Sequence, residues 1–210
     1  MSENQPNPLD LLPTVDSLLE HMEGKSFWDT FFSGFLLTVH PAEFAVRVPG
    51  KGEGQKEEAL SAAFHRTLLQ FRTALELDQW VPVLEAPVFR QGKALAFCDI
   101  TLTPWVSHSR ASVDASWAGA RLAGRHVRIE VKWIDGKPKL PAITYKAASN
   151  ESRQHFVVTL VFHGEGYVPP QNGDEVPFGW QLLYSEARER LGAEFSKDYS
   201  KFSLVVLKSI

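Results

Sequence analysis

The sequence predicts an α+β fold: a mainly antiparallel β-sheet or partly open barrel, packed by two long helices, with a short helix near the N-terminus. Three observations lead there. Apolar residues recur at helical spacing in two long, separate stretches, 55–77 and 178–195. Between them lie six short runs rich in β-branched and aromatic residues, bounded by turn-forming residues. The resulting order of helix, hairpin, helix, strands, helix and strand is not the regular alternation of a doubly wound parallel sheet.

A chain of 210 residues suits one domain, and it can bury a core that needs neither disulfides nor a structural metal. Residues 1–12, rich in Asn and Pro, read as a flexible arm, and 13–210 as the α+β domain. Apolar content of 44% against 22% charged residues excludes wholesale disorder. Six Trp and fourteen Phe favour sheets and aromatic-lined surfaces over a plain helical bundle.

The short helix is expected over 13–23, where Val15, Leu18, Leu19 and Met22 share a face and Gly24 ends it. Segments 35–40 and 43–48 read as a hairpin across Pro41-Ala42, followed by a glycine-rich connector, Gly50 to Gly54. In the long helix 55–77, Leu60, Phe64, Leu68, Phe71 and Leu75 recur at helical spacing, and Glu57 and Glu58 complement the dipole at its start. Strands are expected over 81–89, 93–102, 109–117, 125–133, 140–146 and 154–163, with Asp135-Gly136 as a hairpin signal. Leu183, Ala187, Leu191 and Phe195 repeat every fourth residue and predict a helix over 178–195, before a last strand over 202–207.

Several function classes drop out. Cys98 is the sole cysteine, so there is no internal disulfide or cysteine zinc cluster, and its apolar surroundings suit a small buried side chain rather than a nucleophile. Ser107, His108 and Ser109 lack a nucleophile elbow and an acid partner. Gly50, Gly52 and Gly54 lack the spacing of a phosphate loop, and Glu53, Glu57 and Glu58 would repel an anion. His65 reads as a half-buried helix residue, and His163-Gly164-Glu165-Gly166 as a strand running into a turn. The N-terminus is polar and acidic, with no leader pattern, and no apolar stretch approaches bilayer length; a cytoplasmic protein without a membrane partner is the expectation.

Charge is segregated along the chain. The net value is −3, yet window 106–153 holds nine basic and four acidic residues, a local +5 against −8 elsewhere. Aromatics are interleaved with these cations. Basic grooves with stacking platforms bind single-stranded nucleic acid. This window is therefore expected to form such a surface, with Arg121, Arg125, Arg128, Lys132, Lys137, Lys139, Tyr145 and Lys146 as contacts and no cofactor. In the strand 125–133, Val127, Ile129, Val131 and Trp133 alternate with His126, Arg128, Glu130 and Lys132, so the first set is expected to be buried and the charged set exposed.

Two alternatives use other chemistry. Glu130-Val131-Lys132 has the Glu-x-Lys form of many metal-dependent nucleases, in which an upstream Asp and the Glu hold Mg²⁺ while the Lys orients water. Asp114 is the sequence candidate for that Asp, although those nucleases usually place a helix after this strand, where Asp135-Gly136 signals a hairpin. The other alternative is a non-enzymatic assembly subunit that pairs as a homo-oligomer through its apolar C-terminal run.

Overall fold

Thr14 starts the first helix, its side-chain oxygen accepting the backbone N–H of Ser17 at 3.3 Å. The structure, a computed structural model, describes residues 13–39, 54–90, 93–104, 126–135, 154–163, 167–176, 178–189 and 201–210. Helix α1 (Val15–Glu23) ends at Gly24, as expected, and α2 (Lys25–Thr38) begins at the next residue.

Helix α2 corrects the hairpin reading, since 35–38 are helical; its other arm, 43–48, lies outside the described residues. Phe27, Trp28, Phe31, Phe32 and Phe35 are buried at offsets of zero, one, four, five and eight, one stripe of a helix. Residue by residue such aromatics favour strands, but here ring-on-ring packing decides. Phe64 meets Phe31 and Phe35 edge to face, at centroid distances of 5.1 and 4.9 Å. Gly34 has a steric reason: a Cβ there would lie 2.9 Å from the Phe71 ring.

Helix α3 (Gly54–Gln70) buries Leu60, Ala63, Phe64 and Leu68. It stops short of the expected Leu77, and residues 71–76 form turns in which Glu76 takes a φ of 54°. Leu75 and Leu77 are nevertheless buried, which is why the apolar spacing overran the helix.

Six strands form one open, mixed sheet in the order β1-β2-β3-β4-β6-β5. They are β1 (Trp80–Arg90), β2 (Lys93–Pro104), β3 (Val127–Asp135), β4 (Phe156–His163), β5 (Trp180–Glu189) and β6 (Lys201–Ser209). Only β3 and β4 are parallel among the paired strands; the other four pairings are antiparallel. The expected strands at 81–89, 93–102, 125–133, 154–163 and 202–207 are all present, whereas 109–117 and 140–146 lie outside the described residues. On one side β3 is paired by the parallel β4, an arrangement that requires a crossover connection; the hairpin expected across Asp135-Gly136 runs into residues 136–153, outside the described residues.

The helix expected over 178–195 is corrected as well: 180–189 form strand β5. Residues 202–207 of β6 are all buried, and their outward backbone groups need partners that only a neighbouring strand supplies in register. A register shift between Leu182 and Tyr184 sends these two side chains to opposite faces, which masks the alternation in the sequence.

Every residue of β4 is buried, so both faces of the sheet centre are covered. The first face carries Val131, Trp133, Phe156, Leu160 and Leu204 against the three helices. The second carries Val157, Val161, Leu182, Val205 and Leu207, with Tyr167, Val176 and Trp180 packed on them.

Candidate active site at a strand fork

Strands β2 and β3 pair over only three positions, Leu102↔Val127, Thr101↔Arg128 and Ile100↔Ile129. Beyond them side chains replace the ladder. The Asp99 carboxylate accepts the Val131 N–H at 2.8 Å, and the Cys98 thiol lies 3.3 Å from the Ile129 carbonyl oxygen. The strands therefore fork at Asp99 and Glu130, and the backbone groups freed by the fork are taken up locally.

Charged groups gather at this fork. Lys132 Nζ lies 2.7 Å from Glu130 Oε1 and 3.6 Å from Glu57 Oε2, in the first turn of α3. The other oxygen of Glu130 accepts the Gln154 side-chain amide at 2.7 Å. The Glu130 and Lys132 side chains are 4% and 12% exposed, so the pair is desolvated rather than laid on a wet surface. Burial raises the Glu130 carboxyl above its ordinary range, the nearby Asp99 adds to this, and Lys132 pulls the other way. Burial alone would depress the Lys132 ammonium, but its hydrogen bond to Glu130 and the carboxylates of Glu130, Glu57 and Asp99 outweigh that and raise it.

The alternation expected for β3 thus holds on one side and fails on the other. Ile129, Val131 and Trp133 are buried, and Trp133 stacks on Phe162 at 4.1 Å, a core ring rather than a base platform. Glu130 is also buried, at 3%, because the second face of the sheet is covered too. Arg128 is half-buried, and its backbone N–H donates to His155 Nδ1 at 3.0 Å. Asp114, Arg121, Arg125, Lys137, Lys139, Tyr145 and Lys146 lie outside the described residues.

Asp99 is the residue that sequence reasoning missed. Its signal was an acid in the middle of an apolar strand, Phe97-Cys98-Asp99-Ile100, where a charge needs a buried partner. Cys98 itself is buried, and burial together with Glu130 and Asp99 pushes its thiol up to about 12, so it stays protonated and unreactive. His65 donates to the Pro82 carbonyl at 2.9 Å, the structural role its position suggested.

Three carboxylates, those of Glu130, Glu57 and Asp99, face the one ammonium of Lys132, and carboxylate oxygen is the ligand type that Mg²⁺ takes. Among the described residues no three carboxylate, imidazole or thiolate groups stand as a metal-ligand set. No described helix is long and apolar enough to cross a membrane. No protein-family model, curated protein or solved structure matches the chain.

Proposed function

We propose that this protein is a divalent-metal-dependent phosphodiesterase acting on nucleic acid, with Asp99 in the role that the sequence offered to Asp114. One observation carries this reading: Asp99 stands beside the largely buried Glu130–Lys132 pair where two strands part. A purely solvating Glu-x-Lys on an open strand would have neither the burial nor the second acid. The basic window 106–153 begins just past β2 and contains β3, and it supplies the attraction for a phosphate backbone, single strands being the expected substrate.

Asp99 and Glu130 would hold the cation, with Glu57 within reach of the same charge cluster. A bound Mg²⁺ would supply Lewis acidity toward the phosphoryl oxygen and lower the pKa of a water. Lys132 orients the attacking water and offsets charge that builds on the phosphate. Water oxygen bonds to phosphorus as the bond from phosphorus to the leaving sugar oxygen breaks; the water proton is released and the sugar oxygen takes one up. Gln154 donates to the second oxygen of Glu130 and would hold that carboxylate in place.

The test is cleavage of an end-labelled single-stranded oligonucleotide with Mg²⁺ or Mn²⁺. Cleavage is expected, abolished by EDTA and reduced about 100-fold or more in Asp99→Asn, the scale on which loss of one preorganised charged group acts. An inactive wild type with either metal over a broad pH range overturns the proposal. Oligonucleotide binding without cleavage would leave the basic window as a binding surface only.

A further inference from the structure

We propose that Arg128 and His155 form a binding site for a backbone phosphate of single-stranded nucleic acid, one step along β3 from the Glu130–Lys132 pair. The inference rests on the nucleic-acid substrate of the reading above, and not on its metal.

Arg128 lies two residues before Glu130 on the same side of β3, since its neighbours Val127 and Ile129 both turn into the helix-covered core. Two residues of strand span about 7 Å. A single strand with one phosphate at the fork would bring the next within reach of Arg128. His155 is tied to the same spot by two bonds. The Arg128 N–H donates to His155 Nδ1 at 3.0 Å, and the His155 N–H donates to the Arg128 carbonyl at 3.0 Å. These bonds hold the imidazole beside β3 and also set its tautomer. Nδ1 accepts, so the ring proton sits on Nε2, where it is a donor.

The charge here is opposite to that at the fork. Three carboxylates surround Lys132, whereas the charge that acts on both His155 and His126 is the Arg128 guanidinium. Burial, and then that charge, hold both imidazoles below the ordinary histidine range, so near neutral pH they are uncharged. A guanidinium between two neutral rings suits an anion, and its planar fork of N–H groups matches two phosphate oxygens. Arg128, His126 and His155 are each half-buried and so within a ligand's reach, unlike the buried Glu130. His126 supplies the observation that points to a ligand. Its Nδ1 is enclosed and has no hydrogen-bond partner among the described residues, a cost that an incoming acceptor removes. A phosphate oxygen is such an acceptor.

Fluorescence anisotropy of a labelled short oligothymidine, in EDTA and over a range of salt, reads this site without any metal. Arg128→Gln is expected to bind about tenfold more weakly, the scale of one lost charged hydrogen bond. Its slope of log affinity against log salt should be shallower by about 0.7. His155→Asn keeps an acceptor, Oδ1, for the Arg128 N–H but lacks the outer ring N–H. It should melt like the wild type, bind about fivefold more weakly and keep the wild-type slope, because the donor removed is neutral. A methylphosphonate oligothymidine, whose backbone is uncharged, should not distinguish Arg128→Gln from the wild type. If Arg128→Gln matches the wild type in affinity and slope on the charged oligomer, the inference falls alone. An Arg128→Gln variant that melts lower and loses affinity with an unchanged slope also overturns it, in favour of a structural role. A wild type that binds no oligonucleotide at low salt removes both the inference and the reading beneath it. Binding as described without cleavage in Mg²⁺ or Mn²⁺ keeps the phosphate site and removes the phosphodiesterase.

Discussion

On the helix-covered face of the sheet, buried rings meet buried rings: Trp28 packs against Phe156 at 5.7 Å, and Phe64 bridges Phe31 and Phe35. On the opposite face the same strands bury Glu130, the Thr159 hydroxyl, which has no partner among the described residues, and His163 with its Nε2 2.7 Å from Ser203 Oγ. Depth of burial is alike on the two faces and the chemistry is opposite. Packing explains the first face completely, since each ring there replaces water with close contacts. It explains the second only in part, because desolvated charges and orphaned hydroxyls reduce stability that Val or Leu at those positions would supply. The second face is where the molecule departs from what folding alone favours, and such departures concentrate at functional sites.

The contrast breaks if the two faces respond alike to substitution. The largest effect is expected on the first face. Phe64→Ala should cost about 4 kcal/mol in a urea titration, because rings on both α2 residues would then border a cavity. A loss below about 1 kcal/mol would show that this core is loosely packed.

Next comes the ion pair. Lys132→Met should cost about 3 kcal/mol by leaving a buried carboxylate without its cation, and Glu130→Leu/Lys132→Met should recover most of that loss. Recovery is the sharper result, since it marks the pair as dispensable for stability and leaves function as its explanation. A neutral single variant would mean that Glu130 is well solvated after all.

The smallest effect is a slope. The Glu130 carboxyl lies above its ordinary value, so the folded state binds that proton more tightly than the unfolded chain does. The corresponding stabilisation is full below the ordinary glutamate range and is lost as pH rises through the higher folded value. Wild-type melting temperature should therefore fall relative to Glu130→Gln as pH increases from about 4 to 8. An unchanging difference would place Glu130 in water.

Much of this was legible in the sequence, and the parts that were not share a cause. Strict alternation in 127–133 identified β3 and the residues it turns toward the helices, and Leu60, Phe64 and Leu68 identified α3. Local pattern failed where a distant partner decides. Phe35 reads as the start of a strand until Phe64 is seen to pack against it. Residues 180–189 read as helix because the shift at Leu182/Tyr184 breaks the alternation that β6 imposes. At the site, Glu130 and Lys132 were found through their spacing. Asp99 was not, because only the fork between β2 and β3 brings it to them.

The parallel pairing of β3 with β4 also bears on when the site can exist during folding. Hairpins such as β1–β2 close small loops and can form early, whereas a parallel neighbour waits until a long intervening segment has returned across the sheet. Gln154 reaches Glu130 only through that closure. A partly folded chain with its hairpins and helices in place would lack the residues that complete the fork. Chemistry at this site would then appear with the last, slowest contacts of the native state, so a half-made molecule would be silent.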